Sequence, residues 1–429
     1  MSNNPATSDA AVPPSDSWLK QLGPGLISGA ADDDPSGIAT YSQAGAQFGT
    51  NMLWTLLFTY PLMVGIQMVS AQIGRVSGRG LSENIRKHYS TSLLYFIVGL
   101  LLVANIINIA ADLAAMGDSL KLLMGGPAHW YALAFGVVSL GLQIFIPYHR
   151  YVRILKWLTL ALLAYVATVF VVRISWTEVI THTFFPTISW TPAFATTVVA
   201  VFGTTISPYL FFWQASQEVE ELEAIPREKA LRIAPEQAGE NFRRIKLDTM
   251  IGMGFSNLVA FFIVLTTAMT LNTHGITDIK TSAEAASALR PLAGDFAFYL
   301  FGAGIIGTGL LAIPVLAGSA AYAMAGAFKW KHSLELSFSG AKEFYAIIGL
   351  ATVIGIAFCF MPLDPIKTLY WSAVINGVIA VPIMVVMMLM ASNKRVMGRF
   401  VISKKLTVLA WLCTLVMTLV VGVMFFTFF

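Results

Sequence analysis

The chain has 429 residues, of which 56% are hydrophobic and 12% charged, with a formal net charge of +4. Soluble domains carry about 25% charged residues, so the composition excludes a soluble globular protein and points to a chain that crosses a membrane many times. The two cysteines, Cys359 and Cys413, lie in apolar runs, which argues against a disulfide or a cysteine metal site.

Residues 1–17 are polar and rich in Pro and Ser, without the basic-then-apolar order of a signal peptide, and read as a disordered cytoplasmic tail. The next stretch, 29–49 (GAADDDPSGIATYSQAGAQFG), places Asp32, Asp33 and Asp34 before Pro35-Ser36-Gly37 inside an apolar run. Charge at membrane depth is costly and marks a functional site by default. Pro35 removes a backbone donor and Gly37 relaxes the chain, so the spacing predicts a helix broken at its midpoint. Freed carbonyls beside a carboxylate make a cation site. Asp33, one residue away, reads as a cap or an entrance charge along the same path.

Apolar runs long enough to span a bilayer predict eleven helices, over 21–47, 51–74, 93–124, 130–147, 152–173, 191–217, 247–271, 297–326, 343–361, 367–391 and 405–428. With the N-terminus inside, Lys20 and the loops 75–87, 150–156, 227–246, 329–342 and 394–405 are cytoplasmic and hold 22 of the 27 Lys and Arg. Lys121, Arg173, Lys280, Arg290 and Lys367 remain for the opposite side. This asymmetry follows the positive-inside rule and places the C-terminus outside. The charged connection 218–246 reads as a solvated linker with some helix, and Glu218, Glu220, Glu221 and Glu223 as its solvated helix end.

The sixth segment carries a second interruption, Gly203-Thr204-Thr205-Ile206-Ser207-Pro208-Tyr209. Hydroxyl side chains can re-satisfy backbone groups freed by a proline, so Thr204 and Ser207 either patch a kink or face an ion. The breaks fall in helices one and six, five crossings apart, so two five-helix units have opposite topology. Paired interrupted helices in two such halves point to a transport site at the midplane. The expected organisation is an all-α polytopic membrane protein: 1–17 tail, 18–173 repeat one, 191–391 repeat two, and 404–429 an additional helix. On helix three, Asn105, Asn108 and Asp112 share a face, as a buried network or as part of the permeation path.

These motifs carry a resemblance. Asp34-Pro35-Ser36-Gly37, the following AGAQFG run (Ala44 to Gly49), Ser70-Ala71-Gln72, Ala111-Asp112-Leu113-Ala114 and the helix-six stretch resemble the Nramp divalent-metal transporters, over nearly all of residues 20–390. The resemblance implies the inverted-repeat fold of the bacterial leucine transporter and alternating access. It implies a metal site at Asp34, Gly37, Thr204, Ser207 and Asn376, with Asp33, Tyr209, Asn105, Asn108 and Asp112 along the pathway.

The departures carry as much information. Gly37 stands where the family has Asn, and Ser207-Pro208-Tyr209 stands where it has Met-Pro-His. Loss of the soft thioether leaves oxygen donors, which suit Mg²⁺ and Mn²⁺; the extra room suits an ion that keeps several waters. The pattern is similar to the Nramp-related magnesium transporters. Ala115 replaces the family's helix-three Glu, and Tyr209 and Gln214 its two histidines, so obligatory proton coupling is not expected.

The expected function is secondary import of divalent cations, Mg²⁺ first and also Mn²⁺, across a cell inner membrane. The ordinary proton-coupled importer of Mn²⁺ or Fe²⁺ is the alternative, and a non-transporting metal sensor the alternative from another class. The transported ion and the lipid bilayer are the expected partners, with no cofactor and no nucleic acid; monomer and homo-oligomer both remain open. No nucleophile–base pair or phosphate loop appears, and the GRVSGRG run at 74–80 follows a membrane helix rather than a strand. An enzyme is not expected.

Overall fold

A computed structural model describes residues 28–29, 31–146 and 158–428. The tail 1–17, Lys20, the start of the first predicted span and the 150–156 loop lie outside the described residues. Among the described residues every regular element is a helix. The principal ones are α1 (Pro35–Phe48), α2 (Leu53–Ser77), α3 (Thr91–Met124), α4 (Ala128–Phe145), α5 (Leu163–Val169), α6 (Pro192–Thr205), α7 (Pro208–Ala224), α8 (Ala238–Thr270), α9 (Ala297–Phe328), α10 (Lys342–Phe358), α11 (Pro365–Ala391) and α12 (Lys404–Phe428).

Eight helical stretches among the described residues are long and apolar enough to cross a membrane; one of them, Pro35–Ser77, holds α1 and α2 in succession. The 17-residue α10 and the short α5 fall below that length. Helix α3, at 34 residues, measures about 50 Å at 1.5 Å per residue, more than the hydrocarbon core of about 30 Å. Helix α8 starts at Ala238, nine residues before the predicted span, because its first turns are polar (AGENFRRIK) and an apolar-run criterion does not see them.

Both expected interruptions are present. Helical residues end at Asp32, Asp33 is a bend, and Asp34 is extended (φ −72°, ψ 170°) ahead of Pro35. Helix α6 ends at Thr205, and Ser207 (φ −78°, ψ 127°) precedes Pro208, the first residue of α7. Proline suits the first position of a helix because its missing N–H would have no partner there.

Helix α1 occupies the centre, packed by α8, α11, α6, α3 and α9, while α12 lies outside against α2, α6 and α11. The crossing of α6 and α11 depends on two glycines. A Cβ on Gly203 would lie 2.1 Å from the Ala373 carbonyl oxygen, and one on Gly377 would lie 2.8 Å from the Val199 carbonyl oxygen. Small residues let membrane helices approach backbone to backbone. Thr204 and Asn376 are the chain neighbours of these two glycines; Thr204 faces α1 at Gly37, and Asn376 faces Asn108 of α3.

One expectation is corrected in part here. Of the acidic end of α7, Glu223 is exposed as a solvated helix end would be, but Glu220 and Glu221 are half-buried and Glu218 is fully buried. It pairs with Arg244 of α8 at 2.6 Å and with Arg75 of α2 at 3.8 Å. Arg75, itself without exposure, also pairs with Glu221 at 3.3 Å and with Glu228. Buried charges persist when paired, and this network ties α2, α7 and α8 at one end of the bundle.

Candidate metal-ion site

Asp34 caps α1. Its Oδ1 accepts from the Gly37 backbone N–H at 2.7 Å and from the Ser36 hydroxyl at 2.6 Å, the arrangement a carboxylate makes at a helix N-terminus. Its Oδ2 meets the Tyr209 hydroxyl at the long distance of 3.5 Å. That hydroxyl donates a closer bond, at 3.1 Å, to the Ala31 carbonyl, in the last turn before the break. Tyr209 thus joins the two interrupted helices across the gap. With Oδ1 fully capped, Oδ2 is the oxygen through which Asp34 can bind a cation.

Gly37 has no side chain to offer a ligand; its contribution is a backbone N–H and space. A Cβ there would lie 3.2 Å from the Thr204 hydroxyl oxygen and 3.3 Å from the Tyr41 ring, so Thr204 and Tyr41 line the volume that a larger residue would fill. Tyr41 lies seven residues beyond Asp34 on the same face of α1. The sequence analysis overlooked it, although that spacing was a usable signal. Its hydroxyl is buried, beside that of Thr204.

Ser207 serves the backbone first. Its hydroxyl donates to the carbonyls of Gly203 at 3.1 Å and Thr204 at 2.8 Å, and so closes the end of α6. Its single hydrogen is committed there, while its lone pairs stay available. Asn376 sits in a reciprocal amide pair with Asn108, at 2.8 and 3.1 Å, which locks α11 to α3.

The helix-three residues do not form one network. Asn105 donates to the Leu316 carbonyl at 2.8 Å and the Ser319 hydroxyl at 2.6 Å of α9. Asp112 is completely buried with neither carboxylate oxygen hydrogen-bonded. Asp33 and Asp32 both accept from Ser256 of α8, at 2.9 and 2.8 Å. Ser256 is a second residue that sequence reasoning missed; one serine in a long apolar helix gives no periodic signal.

Among the described residues no three His, Cys, Asp or Glu side chains form a preformed metal cluster. The donors at the breaks are one carboxylate oxygen, hydroxyls and helix-end carbonyls, a hard and sparse set that leaves coordination positions for water.

A family model described as natural resistance-associated macrophage protein-like (Nramp) matches residues 25–427. The chain is 25% identical over 397 residues to a divalent metal cation transporter MntH of Caldanaerobacter subterraneus subsp. tengcongensis, covering 89% of this chain and 87% of that one. It is 26% identical over 413 residues to the protein of the same name from Deinococcus radiodurans, covering 93% and 87%. Among solved structures, a manganese transporter of Eremococcus coleocola, in complex with an aromatic bis-isothiourea compound, superposes with a TM-score of 0.72 at 17% identity, covering 95% of this chain and 87% of that one. Mhp1, a nucleobase-cation-symport-1 family transporter, superposes with a TM-score of 0.58 at 12% identity, covering 95% and 92%. At these identities the structural likeness concerns the fold.

Proposed function

Because the chain belongs to the Nramp family, we propose that it is a multi-pass secondary transporter importing divalent cations, Mg²⁺ and also Mn²⁺, without obligatory proton coupling. The observation that carries this reading is Asp34, a buried carboxylate with one uncapped oxygen between two interrupted helices. Gly37 contacts it directly and Ser207 stands at the facing break, where the family has an amide and a thioether. The ion would bind through Asp34 Oδ2, with Thr204, Ser207 oxygen and helix-end carbonyls as further or water-bridged ligands. Asn376 and Asn108 would hold α11 and α3 in register around it.

Import would proceed by alternating access. With eleven crossings, residues 18–173 and 191–391 as inverted repeats and 404–429 outside them, rocking of the bundle would expose the ion to each side in turn. With the N-terminus cytoplasmic and the C-terminus outside a cell inner membrane, an inside-negative potential of 100 mV contributes about 4.6 kcal/mol to entry of a divalent ion. No coupled proton is needed to drive uptake.

Proteoliposomes test the proposal. Mg²⁺ influx is followed with an internal dye while internal pH is recorded. Influx that disappears in Asp34→Ala and leaves internal pH constant supports it. Mn²⁺ uptake with acidification, and no Mg²⁺ influx, would return the chain to the proton-coupled type.

A further inference from the structure

Between α5 and α6 lies a helix too short to cross a membrane. It runs from Trp176 to Phe184, nine residues that reach about 14 Å, less than half of the hydrocarbon core of about 30 Å. At about 100° per residue its side chains separate into three faces. Val179 and Thr183 are buried against the bundle, while Thr177, Glu178 and Thr181 are exposed and polar. Between these two faces Trp176, Ile180 and Phe184 form an exposed apolar stripe. Phe185, Ile188 and Trp190 extend the exposed apolar surface along the chain to the start of α6 at Pro192. So many large apolar side chains within 176–190 make a patch rather than a scatter; Ile180 is 57% exposed and Trp190 75%.

The segment is held firmly on its polar side. Thr50 Oγ1, in the turn between α1 and α2, lies 2.7 Å from His182 Nδ1 and 3.3 Å from Glu178 Oε1. The Asn51 side chain donates to the Thr187 carbonyl at 2.8 Å and accepts from the Thr187 N–H at 2.9 Å. Further along, Ile188 and Trp190 wall an apolar cavity of about 160 Å³ together with Trp54 of α2, Phe194 and Val198 of α6 and Leu419 of α12. Leu419 is itself exposed on α12, a span at the outside of the bundle. The patch is therefore continuous with a surface that lipid must cover.

We propose that residues 176–190 are an in-plane membrane anchor whose partner is the lipid bilayer at the level where headgroups meet acyl chains. Trp176, Ile180 and Phe184 enter the lipid, and Thr177, Glu178 and Thr181 face water. Tryptophan favours that level, and helices with one apolar and one polar face lie in its plane. Because Thr50 and Asn51 belong to the turn that follows α1, the anchor also fixes the far end of the helix that Asp34 caps. It requires only a membrane-embedded chain, whatever ion is transported.

Spin-label depth measurement on the full-length chain in phospholipid liposomes is the test. Ile180→Cys and Phe184→Cys carry the label on the stripe, and Thr181→Cys samples the polar face. Leu415→Cys on α12 and Lys229→Cys in the charged connection mark lipid and water. Labelled wild type, whose Cys359 is half-buried and Cys413 buried, supplies the background. All five substituted positions are exposed, so the core is spared, and a monodisperse elution profile checks each variant. Labels at 180 and 184 are expected to relax more with oxygen than with a water-soluble nickel chelate, as at 415. The label at 181 is expected to show the reverse, as at 229. Nickel-dominated relaxation at 180 or 184 would put the stripe in water and overturn the anchor. Labels immobilised and shielded from both reagents would mean that a second copy or another protein covers the stripe, and overturn it too. Oxygen-dominated relaxation at 181 as well would sink the whole helix in lipid and overturn the in-plane placement.

Discussion

Placing the family's amide at position 37 tests whether the empty volume there sets ion preference. A Cβ on Gly37 would meet the Thr204 hydroxyl at 3.2 Å and the Tyr41 ring at 3.3 Å, slightly closer than ordinary contact at 3.4 Å. Both neighbours are side chains that can yield by a tenth or two of an ångström. Gly37 lies in the first turn of α1, and replacing helical Gly by Asn improves helix propensity by a few tenths of a kcal/mol, so Gly37→Asn should fold. The added carbonyl replaces a water in the ion's shell. Mn²⁺ surrenders water more readily than Mg²⁺, so the gain falls mainly on Mn²⁺. With a net worth of about 1 kcal/mol for one such interaction, the Mn²⁺/Mg²⁺ uptake ratio should rise roughly five-fold. Parallel dye-based influx of the two ions in proteoliposomes measures the ratio. An unchanged ratio in a well-folded variant would refute the idea that room at position 37 selects a hydrated ion.

Other features yield separate outcomes. Gly203→Ala drives a methyl into the Ala373 carbonyl and Gly377 backbone, which cannot step aside. It should cost about 1–3 kcal/mol and abolish uptake, whereas Gly99→Ala, with nothing within 4 Å, should leave both melting and uptake unchanged; similar melting curves for the two would contradict the packing argument. A double-mutant cycle on Asn108→Ala and Asn376→Ala should show a coupling of about 0.6 kcal/mol, as membrane hydrogen bonds do on average, and additive effects would dissolve the pair. His332, in the connection after α9, responds to pH. Burial opposes its charged form, but Glu83 at 3.2 Å, the Trp330 carbonyl at 2.9 Å and the field of Glu220 outweigh that and raise its pKa above the ordinary value. A raised folded-state pKa contributes stability that is complete below about pH 6.5 and fades as pH rises through the folded value. Melting temperature should therefore fall across that range in wild type, and His332→Gln should flatten the slope.

What the sequence discloses follows from how local each cause is. The breaks at Asp34-Pro35 and Ser207-Pro208 are legible because a proline, a capping side chain and neighbouring glycines act within one helical turn. The apolar runs are legible because lipid demands them residue by residue. Partnerships across the bundle are not. Asn105, Asn108 and Asp112 share a face of α3, yet Asn105 turns to α9, Asn108 to α11, and Asp112 to neither. Their common face says nothing about which helix each meets. Ser256 and Tyr41 escape notice for the same reason, since their meaning comes from Asp32 and Asp33 on another helix or from an empty volume at Gly37.

Glu218 shows the limit most sharply. Four glutamates within six residues (Glu218, Glu220, Glu221 and Glu223) read as a water-facing helix end when only their own helix is considered. Arg75 lies some 140 residues upstream and Arg244 on the far side of the charged connection, and together they make burial tolerable. Charge patterning along one chain segment reports solvation only when the opposing segment is known. The same logic applied to Asp32, Asp33 and Asp112 gives the opposite result. Among the described residues no ion pair reaches them, and Asp32 and Asp33 share the Ser256 hydroxyl of α8 instead.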